Sequence, residues 1–339
     1  MFGRTRRRSA VALAAILAAT TVGAVDAATA RSNDGGRPAG TVWVGNRGLK
    51  AVAAFDASSR THLMTVSLNE PASDVAVGRF GKVFVGEENA DTIAVIDAKT
   101  GEVLGRIETA DRPHHLEASR NGRWITYGAY GTNKVGVIDA RTGTLVGEWE
   151  ASDDPLARSH ASVVTANGKT VYVANDSTHE VTAVDVRTGS HRLVAMVHHA
   201  HELVLTHDQR TLYVVSRMGD MLFAVDVRSL EVTEVVQVGP MPDTLQLVDH
   251  DRTLTVGLRG TPAQVAVVDL DSLEVETITI AGDGTIAGHQ WTSPNGRWTI
   301  AAFEGGTTPG IAVIDHRTGE IVTEPFPGGG RPHGLDVDR

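Results

Sequence analysis

The stretch "KTVYVANDSTHEVTAVDVRTG", residues 169–189, holds two short runs of alternating and β-branched apolar residues, "TVYVAN" and "EVTAVD". Each has the period of a half-buried strand, and a polar turn joins them. The second run ends on Val184-Asp185 and passes into Arg-Thr-Gly. Asp can bond the backbone ahead of it and Gly accepts positive φ, so this ending reads as a tight turn.

The apolar-Asp ending recurs at Asp56, Asp97, Asp139, Asp185, Asp226, Asp269 and Asp315, spaced 41 to 46 residues apart. Four copies continue to Thr-Gly, as "DAKTG", "DARTG", "DVRTG" and "DHRTG". Turn geometry alone accounts for these aspartates, so they carry no functional weight. Around each turn lie four β-rich runs; in the third unit they are "LEAS", "WITYG", "KVGVID" and "LVGEWE". Four strands every forty-odd residues, repeated seven times, predict an all-β, seven-bladed propeller of four-stranded blades.

The ends fit that count. Residues 41–67 supply three strands, "TVWVGN", "AVAAFD" and "HLMTVS", and the missing innermost strand is expected from the C-terminal "RPHGLDVDR". A blade shared between N-terminal and C-terminal strands ties the ring shut and leaves no free sheet edge. One domain over residues 41–339 is expected, after a short linker at 31–40.

Residues 1–30 differ from the rest. A basic start, an apolar run from Ala10 to Ala19 and Ala28-Thr29-Ala30 have the pattern of a cleaved signal peptide, with an apolar stretch too short for a stable span. Thr5-Arg6-Arg7-Arg8-Ser9 also resembles a twin-arginine export signal, although Ser9 stands where that pattern prefers a bulky apolar residue. The expected location is periplasmic or extracellular, with no membrane span after cleavage.

Of the 339 residues 41% are apolar and 21% charged, enough to bury a core. The net charge is −10; Arg4, Arg6, Arg7, Arg8 and Asp26 contribute +3, so the chain beyond the leader is near −13. That balance, without a basic run, argues against nucleic acid or an anionic membrane as partner. With no cysteine in the sequence, disulfides, blue-copper sites and thiolate-held iron–sulfur clusters are excluded. Any metal must be held by His, carboxylate, amide or backbone groups.

Units such as "KTVYVANDSTHEVTAVDVRTG" and "KVFVGEENADTIAVIDAKTG" (residues 82–101) resemble the YVTN repeat of secreted bacterial seven-bladed propellers over roughly residues 41–339. The resemblance implies the fold. It does not select an activity, since that family includes surface proteins, proteins near periplasmic dehydrogenases and many of unknown role.

The chemistry gathers where each innermost strand begins. The seven lead-ins read Pro71-Ala72-Ser73, Pro113-His114-His115, Ser159-His160-Ala161, Ala200-His201-Glu202, Pro242-Asp243-Thr244, Gly288-His289 and Pro332-His333-Gly334. Histidine holds one column in four blades (His114, His160, His201, His333), Asp243 takes it in a fifth, and His115 and His289 share the next position. Equivalent inner positions of a closed ring converge on its axis. Clustered imidazoles resist protonation, and neutral imidazole is a good ligand for a divalent metal, copper or zinc above all. The bland alternative is a ring of polar residues inherited with the repeat, each bonding a neighbouring blade's backbone. The arrangement is similar to the copper-cluster centre of nitrous oxide reductase, another seven-bladed propeller, but this chain lacks the cysteine-containing domain that activity needs.

Loops on the same face add Glu87, Glu88, Tyr130, Asp176, His179, Arg217, Arg259 and Glu304, and "HHAH" at 198–201. Together they would form a polar, partly cationic funnel able to take a small anionic ligand. His207, His250 and His316 fall in turns on the other face. Three functions stay open. The first is a monomeric exported binding protein with a metal, and a small ligand or another exported protein as partner. The second is a metal-dependent hydrolase, lyase or copper oxidase, with Glu88 or Glu304 as base and Arg217 or Arg259 neutralising charge; streptogramin B lyase is a precedent at the level of fold. The third is a metal-free docking scaffold. No GxSxG, HExxH or P-loop pattern is present.

Overall fold

The computed structural model describes residues 37–338; the expected signal peptide and residues 31–36 of the expected linker lie outside them. Seven four-stranded antiparallel sheets form an all-β, seven-bladed propeller. In the third blade the strands are Pro113–Ala118, Trp124–Ala129, Lys134–Asp139 and Thr144–Glu150, running from the axis outward. The ring closes as expected. Pro332–Asp338 is the innermost strand of the first blade and pairs with Thr41–Asn46, Val337 opposite Val42 and Leu335 opposite Val44.

Seven separate apolar clusters hold the ring together, one at each junction between neighbouring blades. At the first junction Trp43, Val52 and Ala54 meet Val75, Val83 and Val85. Both faces of a blade are covered, so its middle strands carry apolar residues on either side of the pleat and read as nearly continuous hydrophobic runs. The outermost strands have one side in water; Glu231–Gln237 exposes most of its residues. The recurrent aspartates do what turn chemistry expects. Asp97 Oδ1 accepts from the backbone N–H groups of Lys99 and Thr100 and from the Thr100 hydroxyl, and Gly101 follows at φ 73°.

One expectation needs adjustment. The innermost strand of the second blade is Val75–Gly78, later than Pro71-Ala72-Ser73 suggested. Its lead-in still engages the neighbouring strand, with Ser73 N–H donating to Gly86 and Gly86 N–H to Asp74. Asp74 therefore stands where His115 stands in the third blade. No helix among the described residues is long and apolar enough to cross a membrane.

Candidate metal centre

A ladder irregularity builds the site. In six blades the innermost strand slips register against its neighbour in its first half, so two of its residues face one across the ladder. Such a bulge breaks the strict alternation of a strand and re-aims side chains. In the third blade His114 faces Gly128, Leu116 faces Tyr127, and His115 is the extra residue, at φ 38°. That backbone is uncommon for a residue with a Cβ and costs on the order of 1 kcal/mol or more. The result is that both members of the His114-His115 pair join the axial cluster.

All seven sequence-derived ligand candidates, His114, His115, His160, His201, His289, His333 and Asp243, are buried there. The imidazoles touch in a continuous series: ring centres lie 4.8 Å apart for His114–His160, 4.3 Å for His115–His160, 3.7 Å for His160–His201, 4.6 Å for His115–His289 and 4.7 Å for His289–His333. Nitrogen donors of His114, His115 and His160 all lie within 4.8 Å of one another, and so do the donors of Asp74, His115 and His289. His115 belongs to both groups.

Gly128 lets the neighbouring blade approach. A Cβ there would stand 2.2 Å from the Ser159 carbonyl oxygen and 2.7 Å from that of His160. Gly128→Ala must therefore displace the backbone that carries His160, at an expected cost of about 1–3 kcal/mol in chemical denaturation. A variant as stable as its parent would mean that the fourth blade yields freely at this seam.

The partners of each ring decide which nitrogen is open. His160 Nδ1 lies 2.8 Å from the His201 carbonyl, which can only accept, so Nδ1 carries the hydrogen and Nε2 keeps its lone pair. His289 Nδ1 is 2.9 Å from Asp74 Oδ1, and its buried Nε2 has no hydrogen-bond partner among the described residues. A carboxylate or carbonyl behind the far nitrogen is the outer-shell arrangement of metal-bound histidine. His115 Nδ1 is 2.5 Å from Glu202 Oε2. Burial, followed by the charge of Glu117, pushes the Glu202 carboxyl well above its usual range. His333 differs: Arg259 Nη1 donates to its Nδ1 at 2.9 Å, which places the hydrogen on Nε2. His201 Nε2 faces Asp243 Oδ1 at 2.9 Å.

Burial lowers the pKa of His114 and His201, and lowers that of His115, His160 and His333 further still, where the histidines packed alongside, and at His333 also Arg47 and Arg259, oppose taking up a proton. These are neutral imidazoles. Asp243 goes the other way. Burial disfavours its charge, but His201, Arg259 and Arg217 outweigh burial and hold it well below the usual carboxylate range.

The four catalytic candidates are at the rim of this cluster. Glu88 pairs with Arg112 at 2.5 Å and lies 3.5 Å from His114 Nδ1. Glu304 is clamped by Arg259 and Arg331, each at 2.6 Å. In both carboxylates burial is outweighed by these partners and the pKa falls, so each is a weak base. Arg217 and Arg259 lie 3.3 and 3.8 Å from Asp243, committed to a carboxylate already present.

Asp74 and Glu202 escaped sequence reading, though Glu202 follows His201 and Asp74 follows Ser73 directly. The signal available was the second column of the lead-ins, where His115 and His289 already stood. Beside these groups the channel holds a cavity of about 90 Å³ lined by Asp74, His115, Glu202, Thr244, His289 and Gln290. Four polar atoms there have no hydrogen-bond partner among the described residues: Thr244 Oγ1, His289 Nε2 and both Gln290 amide atoms. Unpaired buried polar groups are costly, and their convergence fits a bound polar guest. Beyond Glu117 and Asp336 the channel widens to about 640 Å³ at the opposite mouth, where His207 and His250 lie.

Residues 48–250 match the family model PQQ_2, described as outer membrane protein assembly factor BamB. No curated protein matches the sequence. Among solved structures, a functionally unknown protein from Desulfotomaculum acetoxidans is similar at TM-score 0.70 and 12% identity, covering 88% of this chain and 99% of that one. A putative 6-phosphogluconolactonase from Bacteroides uniformis is similar at TM-score 0.66 and 14% identity, with coverage of 88% and 99%. Kuenenia stuttgartiensis hydrazine synthase is similar at TM-score 0.60 and 15% identity, with coverage of 82% and 90%. At such identities the likeness is one of fold.

Proposed function

The chain belongs to the propeller family described as outer membrane protein assembly factor BamB, and we propose that within it this member is a metal-binding propeller whose buried histidines hold a divalent copper or zinc ion. The observation that carries this reading is the group His114, His115 and His160, three buried imidazoles with donor nitrogens within 4.8 Å of one another. Two of the three have lowered pKa values through burial and neighbouring histidines, and the third through burial foremost. Metal binding needs the neutral ring, so the ion would displace little or no proton at neutral pH. Nitrogen-only donors favour copper or zinc over calcium or magnesium, which prefer oxygen. Asp74, His289 and the unpaired amide of Gln290 offer the adjoining cavity for a second ligand group, small and polar.

A second reading, catalysis at the same ion, draws on the His115–Glu202 pair. Its carboxyl is held protonated next to an imidazole and beside the cavity, which suits proton transfer better than Glu88 or Glu304 does. Export, the YVTN repeat type, a monomeric state, and a small anionic ligand or exported protein as partner complete the proposal. They rest on the leader, the repeat and the polar groups of the mouth.

The experiment is elemental mass spectrometry on the tag-free protein beside a His115→Ala/His160→Ala variant. At least one copper or zinc per chain, with one equivalent lost in the variant, is the expected result. A parent protein that contains no metal and takes up none on titration overturns the reading, and a docking role then leads.

A further inference from the structure

A second group of histidines lies on the rim, outside the buried centre. His179 sits in the turn after Thr170–Asn175, and His198 and His199 immediately precede Ala200–Leu205, so the group forms across the seam between the fourth and fifth blades. The ring centres stand 4.7 Å apart for His179–His198, 4.9 Å for His179–His199 and 4.7 Å for His198–His199. One donor nitrogen from each lies within 4.8 Å of the other two. His198 is exposed and the other two are half-buried, so the cluster opens to solvent.

The backbone under these rings is held from several directions. Val197 N–H donates to the His179 carbonyl at 2.8 Å, Arg217 N–H donates to that of His199 at 3.2 Å, and the Ser216 hydroxyl donates to that of His198. His179 and His199 adopt φ of 65° and 47°. Left-handed backbone at two of three clustered histidines is a local cost that the surrounding hydrogen bonds impose, and its effect is to turn the rings toward one another. His179 Nδ1 lies 3.2 Å from the Asp176 carbonyl and 3.1 Å from the His199 N–H. Accepting from the His199 N–H uses the Nδ1 lone pair and puts the hydrogen on Nε2, whereas the tautomer that donates from Nδ1 to the Asp176 carbonyl frees Nε2 for a metal and forgoes the His199 contact.

We propose that His179, His198 and His199 form a second, solvent-open three-histidine site for a late first-row divalent cation such as zinc or copper. Three imidazoles leave a fourth position of a tetrahedral ion to water or a ligand. At a metal–nitrogen distance of ~2.0–2.1 Å the side chains need only a modest closing movement from their present spacing. The site is separate from the buried centre in its residues, and neither depends on the other for a ligand. Asp176 links them, since its carbonyl faces His179 while its carboxylate joins the donors of His160 and His201 within 4.8 Å.

The test is a copper(II) titration of the tag-free chain followed by electron paramagnetic resonance, run on the parent, on His198→Gln/His199→Gln and on His115→Ala/His160→Ala. The expected result is one fewer equivalent bound by the rim variant than by the parent. The buried-centre variant should retain a copper signal with nitrogen hyperfine structure. A rim variant that binds the parent's number of equivalents with the parent's affinity overturns the proposal. So does a buried-centre variant whose remaining copper shows no nitrogen coupling. If that variant fails to fold, parent against rim variant alone decides the matter, because the substituted rim side chains lie at the surface. Loss of the buried equivalent with the rim equivalent kept would support both sites separately.

Discussion

Acidification from pH 7.5 to 5.5 should destabilise the metal-free protein by on the order of 3 kcal/mol, seen as a fall in melting temperature. His114, His115, His160, His201 and His333 all have lowered pKa values, burial being the largest cause in each. In the unfolded chain each titrates near 6.5 and takes up a proton that the folded state refuses. Stability from these groups is therefore complete above about pH 6.5 and is lost as the pH falls below it. Glu202 acts in the opposite sense. Its carboxyl pKa is raised by burial and then by Glu117, so the folded state holds a proton that the unfolded state releases. Glu117, exposed toward the channel lumen, is raised by the walls around it and by Asp336 and Asp74, and solvent screening reduces what it adds to that opposition. The histidines outnumber the two carboxyls, and the net slope follows them. Bound metal should deepen the loss, because the ion requires neutral rings. A melting temperature constant from pH 7.5 to 5.5, or a slope unchanged in His160→Gln, would show that the buried rings titrate normally.

Asp243→Ala should cost about 3 kcal/mol in urea denaturation. The carboxylate is buried and faces His201 at 2.9 Å, Arg217 at 3.3 Å and Arg259 at 3.8 Å. Removing one partner from a buried ionic group leaves uncompensated charge, which typically costs about 3–5 kcal/mol. Arg259 keeps Glu304 at 2.6 Å, and Arg217 is partly exposed, so the lower end of that range applies. Asp243→Asn keeps the shape and removes the charge, and should lose nearly as much. If Asn proves equal to the parent within ~0.5 kcal/mol, hydrogen bonding and packing hold this part of the mouth, with no ionic contribution. Asp243→Ala also removes the acceptor from His201 Nε2, while Asp243→Asn can keep an amide oxygen there, so a metal titration on the two proteins reports whether His201 needs that anchor to hold its ring in place.

Much of this was open to inspection in one dimension. The Asp-Thr-Gly turns mark the repeat because each aspartate bonds its own turn, an interaction complete within five residues. Count and closure followed from the spacing of those turns and from "RPHGLDVDR", whose strand pairs with Thr41–Asn46. The column His114, His160, His201 and His333 was legible because ring symmetry converts sequence register into proximity. The second column was half legible: His115 and His289 were seen, whereas Asp74 and Glu202 were passed over. Their part depends on which imidazole each faces, and the His289–Asp74 contact joins the seventh blade to the second.

The repeat pattern by itself thus determined seven blades, the closing strand and a crowd of histidines at one mouth, because strand period and turn chemistry are local. Tertiary structure alone decided the rest. The bulge that aims both His114 and His115 inward is a slip between paired strands, invisible until the partner is known. The arginines of the mouth are spent on carboxylates: Arg217 of the fifth blade on Asp243 of the sixth, and Arg259 on Glu304 of the seventh as well as on Asp243 of its own blade. Burial, a property of the closed ring, keeps His160 neutral, while Asp243 stays ionised against burial because His201, Arg259 and Arg217 face it.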